Sequence, residues 1–175
     1  MRTWLVGTFC FVAGILIVPA VAFMYLDYGG PPVAVADASF PFEQKLVRAP
    51  LHARIDAELQ KPTMEASEQN LLAGAHIYKE QCSFCHGLPG KPTDLGKNMF
   101  PSAPQLWAKH RNGVVGVSDD PAGETYWRVK NGIRLTGMPS YQKLLNDNEL
   151  WQVSLLLNSA AKPQSPTIQA VLAPQ

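Results

Sequence analysis

The chain opens with a long apolar stretch. From Trp4 to Leu26 there are 23 residues without a charge, which as a helix at about 1.5 Å per residue would be roughly 34 Å long, enough to cross a bilayer. Arg2 precedes this stretch and Asp27 follows it, so the positive-inside rule predicts a cytoplasmic N-terminus. We therefore predict a transmembrane anchor over residues 1–26, with the remainder of the chain outside the cytoplasm.

A cleaved signal peptide is the alternative for the same segment. Ala20-Val21-Ala22 and Ala34-Val35-Ala36 both resemble small-residue cleavage sites. The apolar run continues past the first of them, which is long for the apolar region of a signal peptide and favours an uncleaved anchor. Both readings export the rest of the chain.

Residues 27–64 are rich in proline and predict a linker. If these 38 residues are mostly flexible, their root-mean-square reach is roughly 30–40 Å. Leu51, Ile55 and Leu59 lie at i, i+4 and i+8, which predicts a short amphipathic helix from about Pro50 to Gln60 that packs on the following domain or on a partner.

Helical patterns dominate residues 65–161, and no alternating strand pattern of useful length is present. The first helix is predicted over residues 66–81, with Ser67 available as its cap. The second is predicted from Pro121 to Lys130 with Asp120 as N-cap, and the third begins after Asn146 in a capping-box pattern and ends near Ser159. We predict an all-α domain here, followed by a C-terminal tail over residues 162–175.

Chemistry is concentrated in Cys82-Ser83-Phe84-Cys85-His86. Two thiols three residues apart can add to the two vinyl groups of one haem, while the adjacent imidazole becomes the proximal ligand of the iron. Zinc binding and thiol redox chemistry also use Cys-x-x-Cys, but Zn²⁺ usually needs a second ligand pair and the chain has only one other cysteine, Cys10, in the apolar run. The motif predicts one covalent haem c.

A distal ligand is suggested by Gly137-Met138-Pro139. A thioether suits low-spin haem iron, and the flanking glycine and proline favour a rigid loop from which Met138 can project. Met99, 13 residues after His86, is also within reach of the iron as an alternative ligand. The residues that flank Met138 in its loop favour Met138 over Met99. Tyr126, Trp127 and Arg134 are further candidates for hydrogen bonds to haem propionates.

Length and charge restrict the choice of function. Residues 65–161 are enough for one core, and they contain nine Lys/Arg and nine Asp/Glu. Such a balanced domain does not suggest nucleic-acid binding.

Taken together, these motifs resemble the class I c-type cytochromes, especially membrane-anchored bacterial mono-haem members. Gly74 and Tyr78 resemble the family's N-terminal helix, which implies that Gly74 admits a bulky side chain of the C-terminal helix, here Trp151, Leu155 or Leu156. Pro104-Gln105-Leu106 resembles the family's Pro-x-Leu segment. The resemblance implies that the Pro104 carbonyl accepts the His86 Nδ1 proton and that Leu106 packs against the haem.

We therefore expect a non-enzymatic electron carrier of a respiratory chain. It would lie in a bacterial inner membrane as a single-pass protein with its haem domain in the periplasm, and would exchange electrons with redox proteins such as a respiratory complex or terminal oxidase. Two alternatives stay open. The chain could be a fixed electron-transfer subunit of a larger membrane complex, or a catalytic or gas-binding cytochrome with a labile iron position.

Overall fold

The computed structural model of the protein describes residues 2–110 and 113–174. Within these ranges the fold is all-α, with eight helices and no named strand. The chain forms two compact units, Met1–Leu46 and Val47–Gln175. The helices are α1 Arg2–Tyr28, α2 Glu43–Ala57, α3 Glu68–Gln81, α4 Ser83–His86, α5 Asp94–Lys97, α6 Ala122–Asn131, α7 Asp147–Asn158 and α8 Pro166–Leu172.

Helix α1 accounts for most of the first unit. Its segment Thr3–Tyr28 has a mean hydropathy of 2.5 and no buried share, so by length and composition it is a candidate membrane span. An N-terminal signal sequence meets the same criterion, so both interpretations of the sequence are compatible with this helix.

The core of the second unit is built where α3 packs on α7 and α8, and where α6 packs on α7. At the crossing of α3 and α7, a Cβ added to Gly74 would clash with the backbone carbonyl oxygen of Gln152 and lie 3.1 Å from the Val153 nitrogen. The glycine therefore admits the backbone of α7, whereas the family resemblance implied that it admits a bulky side chain. Tyr78 and Trp151 are each 0 % exposed beside this crossing.

Local capping signals explain where the helices begin. Ser67 accepts a hydrogen bond from the Asn70 backbone nitrogen, so it is the cap, as predicted, and α3 begins at Glu68, two residues after the predicted start at residue 66. Both hydrogen bonds of the predicted capping box join Asn146 and Glu149 at the start of α7. The prediction for α6 was wrong by one residue, because Pro121 occupies the N-cap position with extended backbone, φ −55° and ψ 134°.

Two segments outside residues 65–161 also contribute to the core. Helix α2 begins at Glu43, earlier than the predicted Pro50, and its Ile55 is 1 % exposed. Residues 162–175, expected to be a tail, contain α8, whose Ile168 and Leu172 are 1 % and 2 % exposed. The apolar side chains of α2 and α8 thus extend the core beyond the segment that the sequence pattern outlined.

Candidate haem-binding site

The Cys-x-x-Cys-His sequence forms its own helical turn. Helix α3 ends at Gln81, and α4 carries Ser83–His86 directly after it. The buried Tyr78 hydroxyl donates a hydrogen bond to the Gly87 carbonyl oxygen at 2.7 Å, which ties α3 to the residue that ends α4. Gly87 has φ 72°, a left-handed conformation that costs glycine little, so the chain can turn sharply after the histidine.

One nitrogen of the His86 ring is already engaged. Its Nδ1 lies 2.8 Å from the Pro104 carbonyl oxygen, and since a carbonyl can only accept, Nδ1 carries the proton. That hydrogen bond leaves Nε2 with the lone pair of a neutral imidazole. Burial lowers the pKa of His86, although the bond to Pro104 opposes the shift. The side chain is therefore held in the form that binds iron.

Cys82 and Cys85 flank this turn as free, half-buried thiols. Burial, and then the nearby charge of Cys85, raise the pKa of Cys82 to about 12, so that thiol stays protonated at neutral pH. In the described part of the chain, no three His, Cys, Asp or Glu side chains converge as a protein metal-ion site requires. Cys82, Cys85 and His86 are thus not gathered around one point as zinc ligands would be.

Apolar side chains follow Pro104 along the chain and pack beside the turn. Leu106 is 7 % exposed and belongs to the core cluster. The Trp107 ring meets the Tyr78 ring edge to face, with centroids 5.7 Å apart and an angle of 86°. The segment after Pro104 is therefore fixed to α3 as well as to His86.

Met138 lies on a short loop, and the backbone groups of Met138 form hydrogen bonds within that loop. The Met138 nitrogen donates to Thr136 Oγ1 at 3.1 Å, and the Met138 carbonyl oxygen accepts from the Ile133 nitrogen at 3.2 Å. Gly132 has φ 69°, and a Cβ there would lie 2.7 Å from the Pro139 carbonyl carbon and from the Ser140 nitrogen. This close approach folds the loop back over the end of α6, while the half-buried Met138 packs against the core.

Met99 lies against the same loop. A Cβ on Gly137 would clash with the Met99 Cε, so the two residues are in direct contact. The structure thereby brings the rival methionine next to Met138, and proximity to the loop does not separate the two candidates for the distal ligand. They differ in setting, because Met138 packs against the core cluster and Met99 is not among the residues that do.

Other residues considered from the sequence have different surroundings. His52, His76 and His110 are exposed, and His110 Nε2 lies 3.1 Å from the Gly116 carbonyl oxygen. The Tyr126 hydroxyl donates to Asp147 and the Trp127 indole to Glu58, so both of these candidates for propionate contacts have protein partners.

The sequence analysis did not identify Thr93 and Gln105 as residues of the site. Both hydrogen-bond the backbone carbonyl of Cys85, inside the Cys-x-x-Cys-His turn. Only the position of Gln105 between Pro104 and Leu106 could have drawn attention to it, and no pattern marks Thr93.

The residues present fit a covalently bound haem. Two free thiols and an imidazole whose Nδ1 is engaged share one turn, and a thioether lies on a loop packed against the core. With the all-helical fold, this arrangement defines a c-type cytochrome domain of class I. Residues 69–155 match the family described as cytochrome c oxidase, cbb3-type, subunit III, and the chain thus contains a c-type cytochrome domain over just under half of its length. No curated protein and no solved structure matches the chain.

Proposed function

We propose that the protein transfers single electrons through one haem c, bound covalently by Cys82 and Cys85 and ligated by His86 and Met138. The observation that carries this proposal is the hydrogen bond from His86 Nδ1 to the Pro104 carbonyl oxygen within a Cys-x-x-Cys-His turn. A haem held there would supply a reversible one-electron couple. An electron carrier needs no substrate pocket, because it transfers an electron without binding a substrate at the iron. It only requires that the iron keep its ligands in both oxidation states.

Each residue has a distinct task in this proposal. Cys82 and Cys85 prevent loss of the cofactor, and the Pro104 carbonyl orients the imidazole of His86 and raises its basicity. Leu106 keeps water from the proximal face. Met138 supplies a soft thioether, which stabilises the ferrous state and gives a relatively high reduction potential.

Covalent attachment is tested by acid-acetone extraction of the purified protein. Haem should stay with the polypeptide, and the mass of the chain should exceed that of the sequence by one haem. The Cys82→Ala and Cys85→Ala variants should each keep at most one thioether bond, which shifts the α band of the pyridine haemochrome. Complete extraction of haem from the unaltered protein would refute the attachment.

The choice between Met138 and Met99 needs a pair of matched variants. Met138→Ala should abolish the sulfur-to-iron charge-transfer band, lower the potential and allow carbon monoxide to bind, because a thioether that favours ferrous iron is lost. Met99→Ala should keep the band. The opposite result would assign the distal position to Met99, and a band that survives in Met138→Ala but not in the double variant would show that Met99 can replace Met138.

We also propose that α1 anchors the protein in a bacterial inner membrane, with its haem domain in the periplasm. Support comes from the apolar helix Thr3–Tyr28 and from the charges that flank it. The test is membrane fractionation with protease protection in spheroplasts. An anchored protein stays with the membrane in high salt and is digested from the periplasmic side, whereas a cleaved signal peptide would leave a soluble protein that begins after residue 22 or 36.

The partner in this proposal is a respiratory redox protein. The matched family is described as a subunit of a cytochrome c oxidase, and this description favours the second candidate function, a fixed subunit of a larger membrane complex. Purification in mild detergent distinguishes the two. A tethered carrier should elute alone, and a subunit should elute with its complex in constant proportion. Strong binding of carbon monoxide by the unaltered ferrous protein would instead favour the catalytic or gas-binding alternative.

A further inference from the structure

The carbonyl oxygen of Cys85 lacks the partner that a helix would normally provide. The nitrogen four residues later, which would bond to this carbonyl in an α-helix, belongs to Pro89 and has no proton to donate. The nitrogen three residues later belongs to Leu88 and donates instead to the Lys91 carbonyl oxygen at 3.0 Å. This backbone carbonyl belongs to the residue directly before His86 and must find its hydrogen bonds outside the turn.

Two side chains supply them. Thr93 Oγ1 donates to the Cys85 carbonyl oxygen at 2.8 Å, and Gln105 Nε2 donates to it at 3.3 Å. The Gln105 amide is itself held at both ends, since its Oε1 accepts from the Thr93 nitrogen at 3.1 Å and its Nε2 also donates to the Ala103 carbonyl oxygen at 3.2 Å. Both side chains are half-buried, so water competes less for these bonds.

The space around this group is closed by backbone. A Cβ on Gly96 would clash with the Cys85 carbonyl oxygen and lie 3.1 Å from Gln105 Nε2. A Cβ on Gly87 would lie 2.5 Å from Gln105 Oε1. The absence of a Cβ at these two glycines thus allows the amide to reach the turn.

Two consecutive residues of the turn are therefore paired with two consecutive residues of the proximal segment. Cys85 is joined to Gln105 through its carbonyl, and His86 is joined to Pro104 through its ring. We propose that Thr93 and Gln105 are positioning residues for His86, which hold the turn in register with Pro104 and so fix the hydrogen bond at Nδ1. This inference rests on the proposed role of His86 as the proximal ligand.

Loss of the hydrogen bonds from Thr93 and Gln105 to the turn has a defined chemical consequence. If the turn moves away from residues 104–105, the Nδ1 hydrogen bond lengthens and the imidazole becomes a poorer electron donor to iron. Ferric iron is then less stabilised, so the reduction potential rises. A purely structural role would lower the melting temperature and leave the potential and the Nδ1 proton signal unchanged.

The test uses the full-length protein in mild detergent with four variants. Gln105→Leu removes both donors and the acceptor at similar volume, and Thr93→Val removes the hydroxyl. Thr93→Ser keeps it and serves as the conservative rescue, while Gln69→Leu makes the same exchange at an exposed position of α3. The readouts are the midpoint potential and the proton resonance of His86 Nδ1–H with its rate of exchange.

We expect Gln105→Leu and Thr93→Val to shift the midpoint potential upward and to speed exchange of the Nδ1 proton. Thr93→Ser and Gln69→Leu should match the unaltered protein. If Gln105→Leu does not fold, Thr93→Val and Thr93→Ser decide the matter. Unchanged potentials in a protein with covalent haem would overturn this inference alone, whereas an unaltered protein without covalent haem would overturn it together with the proposed function.

Discussion

Replacement of Gly74 by alanine tests the crossing of α3 and α7, and the Cys-x-x-Cys-His turn follows the end of α3. On an isolated helix this change would be favourable, because glycine in a helix interior is less stable than alanine by up to about 1 kcal/mol. In the folded protein the new Cβ would clash with the Gln152 carbonyl oxygen and lie 2.7 Å from its carbonyl carbon. The two effects have opposite signs, so the measured sign tells which is larger.

The magnitude follows from what the Cβ meets. Carbon atoms are best separated by about 3.5–4.0 Å, so the helices must part by roughly 1 Å. The obstacle is backbone and cannot rotate aside as a side chain would, which places the cost near the upper end of the range for overpacking, about 3 kcal/mol. With the gain in helix propensity subtracted, we expect Gly74→Ala to destabilise the domain by about 2 kcal/mol.

Thermal melting of the full-length protein in mild detergent, followed by circular dichroism and by the Soret band, measures this change. A loss of about 2 kcal/mol should lower the melting temperature by roughly 8 °C or more for a domain of this size. His76→Ala is the matched control, because His76 is an exposed residue of the same helix. A Gly74→Ala protein that melts at or above the temperature of this control would refute the reasoning.

Three further predictions concern other parts of the same domain. Asn146→Ala should cost about 1 kcal/mol, read from the melting temperature, since it removes the side chain that accepts from the Glu149 nitrogen at 3.1 Å. Ile168→Ala should cost about 2–5 kcal/mol in the same assay, because Ile168 is 1 % exposed and a cavity would remain in the core. The hydrogen bonds from Trp127 and then Arg54 lower the pKa of Glu58 from 4.5, so its ionised form stabilises the fold above that pH, and the contribution is lost as the pH falls through the folded-state pKa. Glu58→Gln should therefore flatten the acid side of the curve of melting temperature against pH, and an unchanged acid side would contradict this.

The candidate haem-binding turn could be located from the sequence because its pattern depends on local spacing. Cys82, Cys85 and His86 lie within five consecutive residues, and one turn of helix is enough to present them together. The starts of α3 and α7 were predictable for the same reason, since a cap and its partner are three residues apart. What depends on a few neighbouring residues can be derived without the fold.

Contacts between distant segments could not be derived in this way. Gln105 reaches the Cys85 carbonyl across 20 residues, and Glu58 accepts from the Trp127 indole at 2.7 Å across 69. The family resemblance indicated a close crossing at Gly74 but not that the α7 backbone would fill it. Helix α8 has a Ser165 cap and a proline in its first turn, yet a stretch of seven residues is too short for hydrophobic periodicity to distinguish a helix from a tail.

The contact of residues 58–60 with α6 bears on where the proposed tether ends. Ile55 is buried, and Glu58 accepts a hydrogen bond from the Trp127 indole. A Cβ on Gly123 would clash with the Gln60 carbonyl oxygen. This end of the predicted linker therefore belongs to the haem domain. Residues 29–42 separate α1 from α2, and a flexible chain of that length has a root-mean-square reach of roughly 20 Å, to which the 15-residue helix α2 can add at most roughly 22 Å. The reach of the tether sets the effective concentration of a neighbouring partner and excludes partners whose docking sites lie farther from the membrane. Within the proposed function, a tethered carrier can therefore serve only a partner whose docking site lies within this reach of its anchor.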